Sequence, residues 1–385
     1  MATSRTSRAG AEVRRRTLLA GGALTLTAAT NAACTSAKST VDIRPPVVPF
    51  YGPRQAGIET AAPANATFLA LDLKAGTDRA ALARLLRLLT DDAARLTQGV
   101  APLADGQPEL ARTPARLTVT FGFGPGLFAA AGRPGPVQQL PAFTVDRLQP
   151  RWSGGDLLLQ LCADDPLTVA HAQRMLVKDS RAFATVRWVQ RGFRRGAGPQ
   201  RNVLGQVDGT ANPQPGTDAF ARAVWNDDGG TTLVLRRIRA ELETWDAVDT
   251  VGKEFAVGRR LSDGAPLTGR AEHDPLDLTA KNADGLPVIS EFAHAARAHV
   301  TDDRLRIFRR PYNYDEAPGA DGTPDAGLIF ASFQRDVVRQ FVPVQRRLDE
   351  ADLLNEWITP IGSAVFAVPP GCGEGGWVGE GLLAA

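Results

Sequence analysis

The sequence has few of the side chains that bind metals or form disulfides. Its 385 residues include three cysteines and four histidines, and neither set shows the close spacing of a zinc site. A disulfide-rich scaffold and a zinc site are therefore excluded as descriptions of this chain. Cys162 and Cys372 could pair outside the cytoplasm, but Cys162 falls in an apolar strand pattern, which favours a buried free thiol.

The sequence also lacks a strong net charge. Lysine and arginine number 44 and aspartate and glutamate 42, which gives a formal net charge of +2 at pH 7. Proteins that bind nucleic acid usually cluster their basic residues, whereas charges of both signs are interleaved here. Nucleic acid is therefore not expected as a partner. The length allows two domains or one large duplicated domain with a sizeable core.

A targeting signal stands at the amino terminus. Residues 1–34 have a charged start, a short apolar core and small residues up to Cys34, which predicts a signal peptide rather than a membrane span. Arg15-Arg16-x-Leu-Leu resembles a twin-arginine signal, whose export machinery moves folded proteins across the cytoplasmic membrane. An ordinary secretory signal is the alternative.

The segment after the signal has the composition of a linker. Residues 35–63 are rich in Ser, Thr, Ala and Pro, which predicts a flexible tether. Ala32-Ala33-Cys34 resembles part of a lipoprotein cleavage box, although Asn31 stands where an aliphatic residue is usual. A lipid anchor at Cys34 is therefore an open alternative to release from the membrane.

Two halves with the same order of elements follow. In residues 64–200, alternating apolar residues predict strands and a 3.6-residue period predicts helices, in the order βαββαβ. Residues 201–385 repeat this order less regularly around a Gly-, Pro- and Asp-rich stretch at 259–288. The sequence predicts an α+β protein of two ferredoxin-like halves with two antiparallel sheets, an arrangement like that of the dimeric α/β-barrel superfamily. In the second half, strands are expected at 231–242, 304–310, 327–334 and 363–368, and helices at 243–260 and 336–357.

The residues that could carry chemistry are not specific one by one. Asp208 lies in RNVLGQVDGTANP, residues 201–213, directly before a glycine. Asp-Gly is a strong turn signal, so a turn alone explains this aspartate better than proton transfer does. His294 and His299 lie in irregular sequence, where a lone histidine is more often structural, but one histidine is enough to hold a haem iron.

The segment at 201–213 resembles the Gly-x-x-Asp-Gly signature region of the dye-decolourising peroxidases, in their exported bacterial branch. Further similar stretches occur in collinear order over about residues 60–385, including LTVTFGFGPGLF at 117–128 and RIFRRPYNY at 306–314. The resemblance implies a haem peroxidase that reduces hydrogen peroxide through a ferryl intermediate and oxidises a second, unidentified donor. It implies one haem b per chain, between the halves and held mainly by the second.

The resemblance also implies roles for individual residues. The distal aspartate would move a proton to and from peroxide. The distal arginine would stay cationic and stabilise negative charge as the O–O bond breaks. Two apolar residues would border the distal pocket, and two neighbours of the aspartate would contact the cofactor. These residues are Asp208, Arg309, Leu328, Phe330, Gly209 and Thr210.

The proximal iron ligand is assigned by spacing. His294 lies 15 residues before Arg309, near the family's usual interval, whereas His299 lies only 10 residues before it. We therefore expect His294 to hold the iron, with His299 as the alternative. A carboxylate on the other ring nitrogen would make such a ligand more basic, and Asp352 is one candidate.

Several assignments stay open at the level of sequence. The haem propionates could bind Arg236, Arg237 or Arg259. Reductants too large for the pocket could react at surface aromatics, for which the candidates are Trp152, Trp188, Trp225, Trp245, Trp357, Trp377, Tyr312 and Tyr314. A haem-handling protein of the deferrochelatase kind, a cofactor-free extracytoplasmic binding domain and an oxygenase-like use of haem are the alternative functions. The donor and the oligomeric state cannot be predicted.

Overall fold

A computed structural model describes residues 47–196, 198–319 and 322–383. The predicted signal peptide at 1–34 and the beginning of the predicted tether lie outside these residues. Within them the chain has a mixed α/β structure built on antiparallel strands. In the same part of the chain, no helix combines the length and the apolar character needed to cross a membrane.

The first half has the predicted order of elements with one addition, the short helix Pro125–Ala130 in a stretch expected to be a loop. Its strands are β1 (Asn65–Leu73), β2 (Thr118–Phe123), β3 (Leu157–Ala163) and β4 (Ala184–Phe193), and its helices are α1 (Arg79–Thr97), α2 (Pro125–Ala130) and α3 (Pro166–Ser180). The strands pair in the order β2-β3-β1-β4, all antiparallel. Helix α1 starts where Asp78 accepts a hydrogen bond from the backbone N–H of Ala81, and α3 starts where Asp165 accepts one from Thr168. Such caps supply acceptors for free N–H groups at helix starts.

The second half repeats this arrangement. Its strands are β5 (Thr231–Ala240), β6 (Phe308–Arg309), β7 (Tyr312–Glu316), β8 (Asp325–Gln334) and β9 (Ile358–Val368), and its helices are α4 (Asp218–Val224), α5 (Leu242–Asp246), α6 (Thr250–Val257), α7 (His294–Arg297), α8 (Val342–Ala351) and α9 (Glu380–Leu383). The order β7-β8-β5-β9 is antiparallel throughout. The prediction of two ferredoxin-like halves is therefore correct.

The two predicted antiparallel sheets are joined into one, which corrects their number and agrees with the predicted barrel-like arrangement. β2 meets β9 through the pair Phe123 and Ala367, and β4 meets β7 through the pair Phe193 and Asn313. Because β5 also pairs with β8, these two narrow junctions close the strands of both halves into one eight-stranded barrel, with β6 as a short addition beside β8. A junction of one residue pair leaves no periodic signal in a sequence.

Three predicted elements of the second half are shorter than expected. The helix expected at 243–260 is split into α5 and α6, because Asp249 caps a new helix by accepting from the N–H of Gly252. The strand expected at 304–310 is reduced to β6. It is interrupted before β7 at Pro311, which has no N–H for the ladder.

The helix expected at 336–357 is also interrupted. A π-helical turn, Val337–Phe341, precedes α8, and α8 ends at Ala351. Asp352 then caps a separate 3-10 turn, Leu353–Glu356, by accepting from the N–H of Leu354. This interruption sets the position of the Asp352 carboxylate.

Residues 47–63 pack on the barrel and do not form a free tether. Phe50 and Ile58 are buried, and Ile58 is fully inaccessible. The buried side chain of Gln55 donates to the carbonyls of Phe121 and Pro369, and its own carbonyl accepts from the N–H of Phe121. The tether predicted from composition therefore cannot extend across this segment.

Alternation along the strands separates two faces of the barrel wall. On β8, Ile329, Ala331 and Phe333 are buried in one cluster with residues of the opposite strands, which places them inside the barrel. Leu328 and Phe330 face outward instead. In the first half the corresponding outer face is covered by leucines of α1, namely Leu82, Leu85, Leu86 and Leu89. In the second half the outer face borders a cavity.

Candidate active site

A large cavity lies against the outer face of the second half, among residues that the structure describes. Its volume is about 560 Å³, which is in the range of sites that hold a cofactor or a drug-sized ligand. Strands β5 and β8 supply one wall, and α7 and α8 supply residues opposite. Asp208, Arg309, His294, Leu328 and Phe330 all line it. The sequence therefore predicted one connected set of residues.

Asp208 and Arg309 form an ion pair at the cavity wall. The Nη1 atom of Arg309 is 2.9 Å from Oδ1 of Asp208, and the aspartate side chain is only 10% exposed. The angles of this approach are poor for a hydrogen bond, and Oδ1 of Asp208 has no hydrogen-bond donor. A buried carboxylate with a free acceptor next to a guanidinium is suited to bind a small molecule that carries O–H groups.

Asn212 fixes the loop of Asp208 against Arg309. Its Nδ2 donates to the carbonyl of Arg309 at 2.7 Å, and its Oδ1 accepts from the N–H of Arg309 at 3.0 Å. Gly209, which lies between Asp208 and Asn212 in the loop, has a φ of +96°, a conformation that other residues adopt at a cost. Asn212 was in the quoted segment but had no predicted role. A polar residue that follows Asp-Gly and precedes a proline was the signal available for it.

His294 is bound by a buried carboxylate. Its Nδ1 lies 2.6 Å from Oδ2 of Asp352, whose side chain is 1% exposed, while the imidazole keeps 29% exposure toward the cavity that it lines. Burial by itself lowers the pKa of His294, but the negative charge and hydrogen bond of Asp352 outweigh it, so that the pKa is raised. The carboxylate therefore favours a proton on Nδ1 and leaves Nε2 as the nitrogen with a free lone pair.

His299 also lines the cavity, in a different electrostatic setting. Burial lowers its pKa, and the positive charges of Arg306, Arg347 and Arg259 lower it further. Both histidines border the space, so their position alone does not separate them. The carboxylate partner is the feature that distinguishes His294.

The remaining predicted cofactor neighbours fall in different places. Thr210 lines the cavity and donates to Oε1 of Glu272 at 2.9 Å. Gly209 lies behind Asp208 and lines a second, smaller chamber of about 40 Å³. Leu328 and Phe330, two residues apart on β8, give the cavity an apolar wall.

The structure chooses among the three arginines proposed for an anionic ligand. Arg236 and Arg259 line the cavity. Arg237 is buried elsewhere, with its guanidinium 3.6 Å from the ring centroid of Tyr314 and 4.4 Å from that of Trp152. Arg236 is 2% exposed and pairs with Asp146, yet its Nε and Nη1 have no partner. Unpartnered buried N–H groups are costly, so an acidic group entering the cavity would satisfy them.

The aromatic residues and the cysteines are mostly internal. None of the eight aromatics proposed as surface relays is fully exposed: Trp188, Trp225, Trp245, Trp377, Tyr312 and Tyr314 are buried, and Trp152 and Trp357 are half-buried. Cys162 is a buried free thiol, as predicted, and Cys372 is also free.

These features define a class of protein. One largely apolar cavity is bordered by two polar pairs: an imidazole that is hydrogen-bonded to a carboxylate, and a carboxylate next to a guanidinium. A haem peroxidase needs the first pair to bind its iron and the second to act on peroxide. Comparisons with known proteins agree with this class. The family model described as Dyp-type peroxidase, N-terminal, matches residues 55–194, and Dyp-type peroxidase, C-terminal, matches residues 199–373. The chain belongs to the Dyp-type peroxidase family.

Individual relatives cover most of the chain. A dye-decolorizing peroxidase of Thermobifida fusca is 41% identical over 360 residues, which are 86% of this chain and 83% of the relative. A DyP-type peroxidase structure from Cellulomonas bogoriensis has a TM-score of 0.86 at 51% identity, covering 89% of this chain and 99% of that one. Ferric DtpA from Streptomyces lividans has a TM-score of 0.85 at 40% identity, covering 89% and 98%.

A second group of relatives carries the name deferrochelatase. One from Yersinia pestis is 33% identical over 405 residues, covering 96% of this chain and 92% of the relative. This identity is lower than that of the dye-decolorizing peroxidase. The chain is a haem peroxidase, whose substrates are hydrogen peroxide and a reducing donor. The cofactor-free binding domain is thereby set aside.

Proposed function

We propose that the cavity would hold one haem b, that His294 would bind its iron, and that Asp208 and Arg309, which line the same cavity, would bind and act on peroxide. The observation that carries this proposal is that two separate polar pairs, His294–Asp352 and Asp208–Arg309, line the same cavity. Bound haem supplies iron redox chemistry. The protein side chains supply position, charge and protons.

The lining of the cavity fits the chemistry of haem. Leu328 and Phe330 offer an apolar wall to the porphyrin ring, and His294 offers a ring nitrogen to iron. Arg236 offers two unpartnered N–H groups to a propionate, and we infer that it is a propionate partner. Arg259 is the second cationic candidate, although its Nη1 already donates to the carbonyls of Gly264 and Glu272.

The proton chemistry is assigned to the Asp208–Arg309 pair. Peroxide loses a proton when it binds as an anion, and its outer oxygen must receive a proton to leave as water. Asp208, a carboxylate with a free acceptor atom, takes and returns that proton. The cationic guanidinium of Arg309 stabilises negative charge near the oxygen atoms. Asn212 keeps the two groups in register by binding the backbone of Arg309.

The role of Arg309 can be tested with a charge deletion. We expect Arg309→Leu to slow the peroxide-dependent change in the Soret band by roughly 100-fold or more, as removal of a preorganised charge does in other enzymes. The measurement is stopped-flow mixing with stoichiometric peroxide. Arg335→Leu is the matched control, because Arg335 pairs with Asp227 at the surface. Equal rates for both variants would remove Arg309 from the reaction.

The same experiment addresses the haem-handling alternative. A peroxidase reacts rapidly with stoichiometric peroxide and then oxidises an added donor. A protein whose task is to remove iron from haem would instead release iron-free porphyrin under reducing conditions. Porphyrin fluorescence, recorded beside the stopped-flow trace, separates the two functions.

We also propose that the protein is exported by the twin-arginine route. The support is the Arg15-Arg16-x-Leu-Leu pattern and the export of folded, cofactor-containing proteins by that route. Changing Arg15 and Arg16 to lysine keeps the charge, so an ordinary secretory signal would still function. Cytoplasmic accumulation of the double-lysine variant is expected, and normal export would contradict the proposal. Retention of the exported protein in the membrane fraction, lost in Cys34→Ser, would indicate a lipid anchor.

A further inference from the structure

A second, polar chamber lies behind Asp208. Its volume is about 40 Å³, above the roughly 10–15 Å³ that a cavity needs to admit a water molecule. Four residues line this chamber as well as the main cavity and so separate the two spaces: Asn202, Asp208, Arg309 and Leu328. The chamber is otherwise lined by charged and amide side chains together with Gly209 and Pro311.

Most polar groups of the chamber are already engaged within the protein. Asn212 uses both ends of its amide on Arg309. Asn202 donates to Gln206 and accepts from two backbone N–H groups. Gln200 donates to the carbonyl of Arg195 and accepts from Arg194. Their hydrogen bonds explain the shape of the chamber but leave these amides with little to offer a ligand.

Two buried acceptors of the chamber remain without a donor. The Nδ2 atom of Asn313 donates to the carbonyl of Arg201 at 2.9 Å, which fixes the orientation of the amide. Its Oδ1 has no partner although the residue is only 8% exposed. Oδ1 of Asp208 is the other: it lies 2.9 Å from Nη1 of Arg309 in an ion pair but accepts no hydrogen bond. Buried acceptors normally find a donor, so the chamber calls for a molecule with two O–H groups.

We propose that the chamber holds a water molecule bound between Asp208 and Asn313, and that this water is the route by which Asp208 exchanges protons with solvent. The inference rests on the catalytic role proposed above for Asp208. Asn313 is a positioning residue, because it acts on the water and not on peroxide. Its place on β7, where it forms the single-pair junction with Phe193 of β4, ties the water site to the barrel wall.

The route is needed because peroxide reduction consumes protons. Conversion of one hydrogen peroxide to two waters takes up two electrons from the donor and two protons. When an Asp208 carboxylate is to be reprotonated, one O–H bond of the bound water breaks and one O–H bond forms at the carboxylate. The water regains its proton from solvent, so the net change is the transfer of one proton to Asp208. A large cofactor in the main cavity would occupy one side of Asp208, so that the polar chamber would be the space left for water on its other side.

Asn313→Leu tests the proposal, because leucine has nearly the same shape and no hydrogen-bonding atom. We expect the peroxide-dependent Soret change to slow by roughly tenfold, less than the roughly 10²–10⁴-fold typical of a group that transfers the proton itself, because Asn313 only positions the water. We also expect the solvent deuterium isotope effect to increase. Asn65→Leu is the matched control. Asn65 is also partly buried and donates to backbone carbonyls, but it lies outside both spaces. If Asn313 has only a structural role, the solvent isotope effect stays unchanged in Asn313→Leu as it does in Asn65→Leu, and the proposal is overturned.

A crystal structure of the haem-loaded wild-type protein gives a readout that does not depend on activity or on the folding of a variant. An ordered water within hydrogen-bond distance of Oδ1 of both Asp208 and Asn313 is the expected result, and a dry chamber would overturn the proposal. Asp208→Asn, measured in parallel, distinguishes the proposed role of Asp208 from the water route. If Asp208→Asn reacts slowly with peroxide and Asn313→Leu reacts at the wild-type rate, only the water route is overturned. A normal rate for Asp208→Asn overturns the role of Asp208 and the route with it.

Discussion

Asp352→Asn is the sharpest perturbation of the iron-binding side. The variant keeps the size of the side chain and an oxygen that can accept from the N–H of Leu354, so that the 3-10 turn stays capped. It replaces the carboxylate oxygen 2.6 Å from Nδ1 of His294 with an amide N–H. Two donors cannot face each other, so the proton of His294 moves to Nε2, the nitrogen needed for iron.

The size of the effect follows from the partner that is lost. Loss of an outer partner of a metal-bound histidine typically lowers metal affinity by about 10- to 100-fold. At about 1.4 kcal/mol per factor of ten this corresponds to about 1.4–2.8 kcal/mol. A hydrogen bond to a charged group contributes about 1.5–3 kcal/mol, in agreement with this range. Because the amide also reverses the polarity of the contact, we expect the upper part of the range.

Haem transfer to an excess of haem-free myoglobin, followed by the Soret band, measures the effect. Asp352→Asn should lose haem faster by about 100-fold, the upper end of that range. Asp349→Asn is the control, on the helix α8 that ends just before Asp352. Asp349 binds Thr144 and the backbone of Val145 and not His294. If the two variants lose haem at the same rate, the carboxylate does not support the iron ligand.

Two further predictions concern stability and positioning. Burial, followed by the hydrogen bond and charge of Asp92, raises the pKa of Asp179 to about 8. Folded Asp179 therefore keeps a proton that the unfolded chain loses above about pH 4. The free energy of unfolding should consequently fall as the pH rises from about 4 to about 8. In urea unfolding, Asp179→Asn should flatten that slope and raise the free energy of unfolding at pH 8 by about 1–3 kcal/mol. An unchanged slope would contradict the raised pKa of Asp179. Asn212→Ala removes both hydrogen bonds to the backbone of Arg309. It should lower the free energy of unfolding by about 1–3 kcal/mol and slow the reaction with peroxide. A normal reaction rate would show that Asp208 needs no such support.

The sequence predicted local order better than long-range contacts. The strands and helices of the first half followed from apolar periodicity, because each buries one continuous face, as the leucines of α1 do. The second half was harder to predict because polar caps interrupt its helices: Asp249 starts α6, and Asp352 separates α8 from the next turn. Periodicity does not register such caps. Pro311 was visible in the sequence and explains the break between β6 and β7.

The site depends on contacts that spacing alone does not reveal. Asp352 lies 58 positions from His294, and Asn212 lies 97 positions from Arg309. The family resemblance placed Asp208, Arg309 and His294, but it gave no means of choosing Arg236 over Arg237. That choice follows from strand alternation, which turns neighbouring residues of β5 to opposite faces of the barrel wall. Closure of the barrel then brings the loops of both halves to the cavity.

The absorption spectrum of haem-reconstituted His294→Ala, recorded beside His299→Ala, tests the central claim most directly. We predict that His299→Ala keeps the Soret band and haem content of the wild-type protein, while His294→Ala loses both. Full haem occupancy with an unchanged spectrum in His294→Ala would contradict the assignment and move the iron ligand to another residue.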